Sequence, residues 1–84
     1  MKIEKIVGNN VRGFRERMGI SQEKLAEHAD LHRTYIGQVE RAEKNITVRN
    51  LYRLGKALKI KPHMLLLEDA YKLSPKELEK GLLP

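Results

Sequence analysis

"SQEKLAEHADLHRTYIGQVER", residues 21–41, decides how the chain folds. Leu25, Ala26 and Ala29 sit at helical spacing, and after a brief interruption Leu31, Ile36 and Val39 resume it. Ser21 is suited to cap the first of two helices, residues 22–29. Lys24 holds the third helical position, where a Glu would be needed for a reciprocal capping box. Asp30 tolerates turn geometry, and a second helix follows over residues 33–41. Both helices are too short to persist alone, so packing must hold them.

A link of roughly three residues makes two such helices cross steeply, the helix-turn-helix arrangement. Ala26 suits that crossing, because only a small side chain lets the backbones approach. The second helix then projects, and a projecting helix fits the major groove of B-DNA. Its polar residues Arg33, Thr34 and Gln38 fall within about 140° on a helical wheel, away from Ile36 and Val39. This set is either an ordinary solvated face or a reading face. For reading, the Arg33 fork matches O6 and N7 of guanine, Gln38 can pair with adenine, and Thr34 offers a hydroxyl and a methyl.

Working outward, the chain predicts more helices and no strands. Ile3, Val7, Val11, Phe14 and Met18 are spaced by three and four, which marks an amphipathic first helix. Gly13 inside it costs about 1 kcal/mol relative to Ala, and Gly19 ends it by taking positive φ. Thr47 can cap a fourth helix carrying Leu51, Leu54 and Leu58. Pro62 suits the first turn of a fifth, running through Met64 to about residue 70. "SPKE", residues 74–77, is a full capping box opening a short sixth helix that Gly81 ends. The fold class is all-α: a compact five-helix domain over residues 1–70, with a short additional helix in a tail over 71–84.

Length and charge bound the function. Eighty-four residues make one domain rather than two. Seventeen Lys and Arg against 11 Asp and Glu leave a net charge of +6. The imbalance is confined, with 14 basic and 7 acidic residues up to Lys61 but 3 and 4 beyond it. A one-sided excess of this kind suggests a polyanionic partner. With no cysteine, disulfides and thiolate metal sites are excluded. No apolar run approaches the roughly 18–20 residues of a membrane span, and "MKIEKIVGNN" lacks the apolar stretch of a secretory signal. A cytoplasmic protein is expected. His28 and His32 are four apart, but the turn separates them and no cysteine or carboxylate completes a metal site. No partnered nucleophile, paired carboxylates or Gly-rich phosphate loop is evident, so neither an enzyme nor a cofactor is expected.

"GISQEKLAEHADLHRTYIGQVERAEKNIT", residues 19–47, resembles the helix-turn-helix of the XRE family, which includes Cro-like and lambda-type phage repressors. The likeness covers roughly residues 7–67, and "HRTYIGQVER…NIT" is most similar to the controller proteins of restriction-modification systems. It implies a lambda-repressor-like fold in a bacterial or phage regulator of transcription, with double-stranded DNA as partner and Arg33, Thr34 and Gln38 on bases. It also implies backbone-phosphate contacts from Gln22, Tyr35, Lys44, Asn45 and Thr47. Gln22 reads equally as a plain exposed side chain, Lys44 as a flexible surface one, and Thr47 as the helix cap. Arg15 and Glu40 match a buried ion pair tying the first helix to the third, and Arg41 a surface or phosphate-side charge. Three residues depart from the family pattern: Asp30 where the turn commonly has Gly, His32 where a Ser or Thr cap is usual, and Gly37 inside the recognition helix. Gly37 either lets the backbone near DNA or simply weakens the helix.

Met64, Leu65, Leu66 and Leu67 are more consecutive apolar residues than one helix face can bury in so small a domain, and Leu82 and Leu83 add to them. A two-fold homodimer would cover this set, with intrachain packing as the alternative. Paired recognition helices about 34 Å apart would meet successive major grooves of a palindromic operator. The rival role is a protein-interaction module, such as an antitoxin with this fold whose C-terminal part masks a small protein partner.

Overall fold

The computed structural model describes residues 2–80. Gly81, Leu82 and Leu83 lie outside the described residues. Four α-helices come first: α1 (Ile3–Arg17), α2 (Gln22–Ala29), α3 (Arg33–Glu40) and α4 (Val48–Ala57). Two 3₁₀ turns follow, Pro62–Leu66 and Ala70–Lys72, and then the short helix α5 (Pro75–Lys80). No strand occurs among the described residues, and none of their helices is long and apolar enough to cross a membrane.

Local chemistry sets each boundary. Ser21 Oγ accepts from the Lys24 N–H at 3.0 Å, and Thr47 Oγ1 from the Asn50 N–H at 3.0 Å, so each relieves an orphan donor at its helix start. His32 caps α3 in the same way, its Nδ1 accepting from the Thr34 N–H at 3.1 Å. The departure from Ser or Thr is therefore a change of acceptor atom, not a lost cap. Asp30 takes the left-handed conformation at φ 56°, and the Leu31 N–H reaches back to the Ala26 carbonyl at 2.9 Å to close α2. At the start of α5, the Ser74 N–H donates to Glu77 Oε1 (3.0 Å) and the Glu77 N–H to Ser74 Oγ (3.2 Å). The bond from the Ser74 N–H holds the Glu77 carboxyl below its ordinary range. That support for α5 is present near neutral pH and is lost as pH falls through the lowered value.

The core lies where α1 to α4 and the first 3₁₀ turn meet. Val7, Val11, Phe14, Leu25, Ile36, Val39, Leu54, Leu58, Met64 and Leu65 are all buried there. Gly8 lets α1 rest directly on the end of α3, since a Cβ at that position would lie 2.6 Å from the Val39 carbonyl oxygen. Gly13 makes similar room on α1, because a Cβ there would overlap the Tyr71 ring. The chain beyond residue 70 thus stays on α1, where Arg17 Nη1 donates to the carbonyls of Tyr71 and Leu73 at 2.6 and 2.7 Å.

Two expectations need correction. The fifth helix does not run to residue 70: Leu67 is extended, at ψ 125°, and splits the segment into two 3₁₀ turns. The cause is Asn10, wholly buried on α1. Its Nδ2 donates to the Leu67 carbonyl at 2.7 Å and to that of Leu65 at 3.0 Å, while its Oδ1 accepts from the Tyr71 N–H at 3.2 Å. The Leu67 carbonyl and the Tyr71 N–H would bond to each other in an α-helix. The amide inserts between them. The second correction concerns the apolar run assigned to a dimer contact. Met64 and Leu65 are wholly buried within the chain, Leu67 is partly buried, and only Leu66, 42% exposed, faces solvent.

Asn10→Ala takes the partner from the Leu65 carbonyl and the Tyr71 N–H, each unpaired group costing about 1–3 kcal/mol, while the Leu67 carbonyl keeps the Ala70 N–H at 3.1 Å. We expect a loss of at least about 2 kcal/mol in urea unfolding with an unchanged slope on denaturant, larger than for a typical exposed polar residue.

Candidate nucleic-acid interface

One carboxylate sets the posture of α3. Glu40, at its end, accepts from Arg15 Nε at 2.7 Å and from Arg15 Nη2 at 3.0 Å, a bidentate pair with α1. The same carboxylate takes Gln22 Nε2 at 3.0 Å, and Arg15 Nη1 reaches the Ile20 carbonyl at 3.0 Å. Three helices and the α1–α2 link thus meet on two side chains that are 14% and 4% exposed. The bond to Glu40 raises the Arg15 pKa further above its ordinary value, against the opposing effect of burial. Gln22, expected at the phosphates, spends one of its two amide N–H groups inside this frame and keeps the other.

From that frame α3 presents Arg33 and Thr34, both exposed, and Gln38, half-buried. Lys44, Asn45 and Thr47, in the connection after α3, are exposed as well. Tyr35 is half-buried, and its hydroxyl accepts from Asn50 Nδ2 of α4 at 3.1 Å while its own O–H stays free to donate. Gly37 is buried beside Gln22 and Arg41; a Cβ there would lie 3.1 Å from Arg41 Nη1 and 3.6 Å from Gln22 Oε1. Its small size serves the packing of these two side chains over the helix. Arg41 is turned to Glu43 at 2.9 Å, and this bond holds the Glu43 carboxyl below its ordinary range. Thr47 carries the cap of α4 with its Oγ1 and still has its hydroxyl proton to offer.

The Arg33 guanidinium is not free in space. Its Nη1 lies 3.3 Å from Glu23 Oε2 on α2, with the two side chains 66% and 72% exposed. Glu23, Asn50 and Asn10 carry functional or framing contacts that the sequence pattern does not single out. Only Asn10 has a local signal, since it falls three residues after Val7 on the apolar stripe of α1.

A second feature adjoins this surface. Ile3 and Val48, 49% and 85% exposed, stand with Leu66 around a cleft of about 220 Å³. Val7, Val39, Ile46 and Leu51 form its floor, and Lys44, Asn45 and Thr47 border it on the side toward α3.

Known proteins share the arrangement. The helix-turn-helix family matches residues 11–65. The control protein C.SmaI of Serratia marcescens is 47% identical over 72 residues, 86% of this chain and 86% of its own length. The control protein C.BamHI of Bacillus amyloliquefaciens is 43% identical over 65 residues, 76% of this chain and 80% of its own. Among solved structures, the restriction-modification controller protein C.AhdI from Aeromonas hydrophila has a TM-score of 0.72 at 39% identity, covering 74% of this chain and 94% of that one. The P22 c2 repressor, solved in complex with a synthetic operator, has a TM-score of 0.70 at 33% identity, covering 75% and 96%.

The two ion pairs of α3 should differ sharply in worth. Glu40→Ala leaves Arg15 without its counter-charge in a largely buried setting and should cost about 3–5 kcal/mol, whereas Glu23→Ala, on an exposed pair, should cost less than about 1 kcal/mol. Chemical denaturation of the two variants side by side checks the contrast. Comparable losses would mean that Glu40 does not hold the frame.

Proposed function

The chain belongs to the helix-turn-helix family, in its XRE or Cro- and lambda-repressor-like branch, and from that premise we propose that it is a sequence-specific DNA-binding regulator of transcription. It acts as a homodimer on a palindromic operator, with α3 of each copy in a major groove. The observation that carries this reading is the directional set of exposed Arg33 and Thr34 with half-buried Gln38, on a helix braced by the Arg15–Glu40 pair. A solvated face needs no such brace. A reading face does, because a bidentate base contact tolerates little angular error.

Arg33 takes the N7 and O6 edge of a guanine, Gln38 an adenine, and Thr34 a base edge or a thymine methyl. The remaining Gln22 N–H and the free N–H groups at the start of α2 meet a phosphate together. Tyr35, Lys44, Asn45 and Thr47 hold the backbone and fix register without reading sequence. Residues 1–70 carry the binding unit, and 71–84 follow it as a short tail. Likeness to the control proteins C.SmaI and C.BamHI and to the restriction-modification controller protein C.AhdI supports the narrower reading of a restriction-modification controller, and with it a bacterial cytoplasm as the place of action.

The homodimer contact is the cleft between Ile3, Val48 and Leu66, in place of the buried Met64 and Leu65. Three of the four large apolar side chains left exposed among the described residues stand there. The cleft is lined by Lys44 to Thr47, so a second copy seated on it lies next to the residues assigned to the DNA backbone, as a two-fold pair on adjoining half-sites would.

Selection from random duplexes should return a palindromic site. On that site Arg33→Ala should lower discrimination at one base pair by about 1–3 kcal/mol, while Lys44→Ala should weaken all sequences alike and reduce the salt slope by about 1. Unchanged base preference for Arg33→Ala would remove the base-reading assignment. Leu66→Glu should shift the molecular mass in sedimentation from dimer to monomer with helicity retained. A dimer that survives Leu66→Glu and Val48→Glu together places the contact elsewhere.

A further inference from the structure

The unpaired positive charge of this chain is not concentrated on α3. Arg33 is turned to Glu23, Arg41 to Glu43 and Arg15 to Glu40. At the other end of α4 and just beyond it stand Arg53, Lys56, Lys59 and Lys61, none of them in an ion pair within the described residues. Arg53 and Lys56 are three residues apart on one helix, where like charges are neighbours and repel. A surface shaped by solubility alone would mix the signs.

These cations rim an apolar hollow. Tyr52, 56% exposed, forms its centre with Ile60, Pro62 and Leu78 around it, and the Lys56 ammonium lies 5.9 Å from the Tyr52 ring centroid. A second, shallower depression continues from Tyr52 and Lys56 across Arg53 toward His28 and Asp30. The acidic side chains along the combined surface are Glu79 and Asp30, against four cations. Tyr52 is also the one large exposed apolar residue described outside the Ile3–Val48–Leu66 cleft.

We infer that this surface docks an acidic amphipathic segment of a partner protein, its carboxylates on Lys56, Lys59, Lys61 and Arg53 and an aromatic or leucine side chain on Tyr52, Ile60 and Leu78. The charge fixes the sign of the partner. The apolar centre fixes its class, because phosphates need cations but no hydrophobic floor, whereas a peptide anchor does. Position argues the same way. Tyr52 and Lys56 lie five and nine residues along α4 from Thr47, about 8 and 14 Å at the helical rise, beyond the edge that the proposed function gives to DNA. The regulator can therefore hold DNA and this partner at once.

The test uses the full chain, isotope-labelled and followed by NMR. The probe is a twelve-residue peptide alternating Glu with Leu and Phe, and two controls replace either its apolar residues by Ser or its Glu by Gln. The expected result is amide shifts centred on Tyr52, Lys56, Ile60 and Leu78, persisting when a duplex operator is bound. Each control peptide should bind at least about tenfold more weakly, and so should the double variant Lys56→Glu/Lys59→Glu with the original peptide. The double variant should keep its far-UV spectrum and hold operator affinity within about twofold. Absence of shifts at Tyr52 and Ile60, or shifts only at Arg33 and Thr34, overturns the inference. So does a fall in operator affinity for the double variant as large as that of Lys44→Ala, which would make the patch a phosphate contact. These outcomes are separate from Arg33→Ala, whose failure concerns base reading alone.

Discussion

A single carboxylate, that of Glu40, converts two marginal helices into a fixed angle. Helices of eight residues do not persist in water by themselves, and the turn between α2 and α3 constrains only their ends. Apolar burial of Ile36 and Val39 holds α3 in place but is non-directional, and would allow rotation about the contact. The Arg15 fork on Glu40, with Gln22 on the same oxygen, removes that freedom because its hydrogen bonds have defined directions. Gly8 works with it, admitting the last carbonyls of α3 to van der Waals range of α1. The direction of Arg33 in space is inherited from these contacts at the far end of its helix.

The periodic parts of the molecule are legible in the sequence because they depend on local physics. Apolar spacing locates α1 to α4, and Ser21, Thr47 and Ser74 announce their caps, since a cap is a matter of neighbours three residues apart. The pair Arg15–Glu40 is legible only through resemblance; its members are 25 residues apart and nothing local links them. Residues 62–70 mislead for the same physical reason. Their pattern is helical, but Asn10 competes for the Leu67 carbonyl and the Tyr71 N–H across a separation of about 60 residues, and tertiary bonding overrides propensity. Met64 and Leu65, which a count of apolar residues assigns to a partner, are buried in the chain's own core. Glu23 and the Tyr52 surface have no local signature, because charge on a helix reads alike whether or not something faces it.

The ion pairs sort by burial into frame and instrument. Arg15–Glu40 is nearly excluded from solvent, so ionic strength screens it little and exchange with an outside partner would strand a charge. Arg33–Glu23 and Arg41–Glu43 are more than half exposed and worth little on their own. In the proposed reading role, a pair this exposed costs little to exchange for a guanine edge, whose two acceptors match the Arg33 fork. Weakness is the useful property here: a stronger rest position would be subtracted from affinity for DNA.

α4 is where these separate demands meet without interfering. Its first residues, Thr47 as cap and Val48 beside it, border the reading edge and the apolar cleft. Leu54 goes to the core, while Tyr52 and Lys56, four residues apart, face solvent. Asn50 ties the start of this helix to α3 through the Tyr35 hydroxyl, so the two helices are joined by a side-chain bond and a shared core as well as by the chain between them.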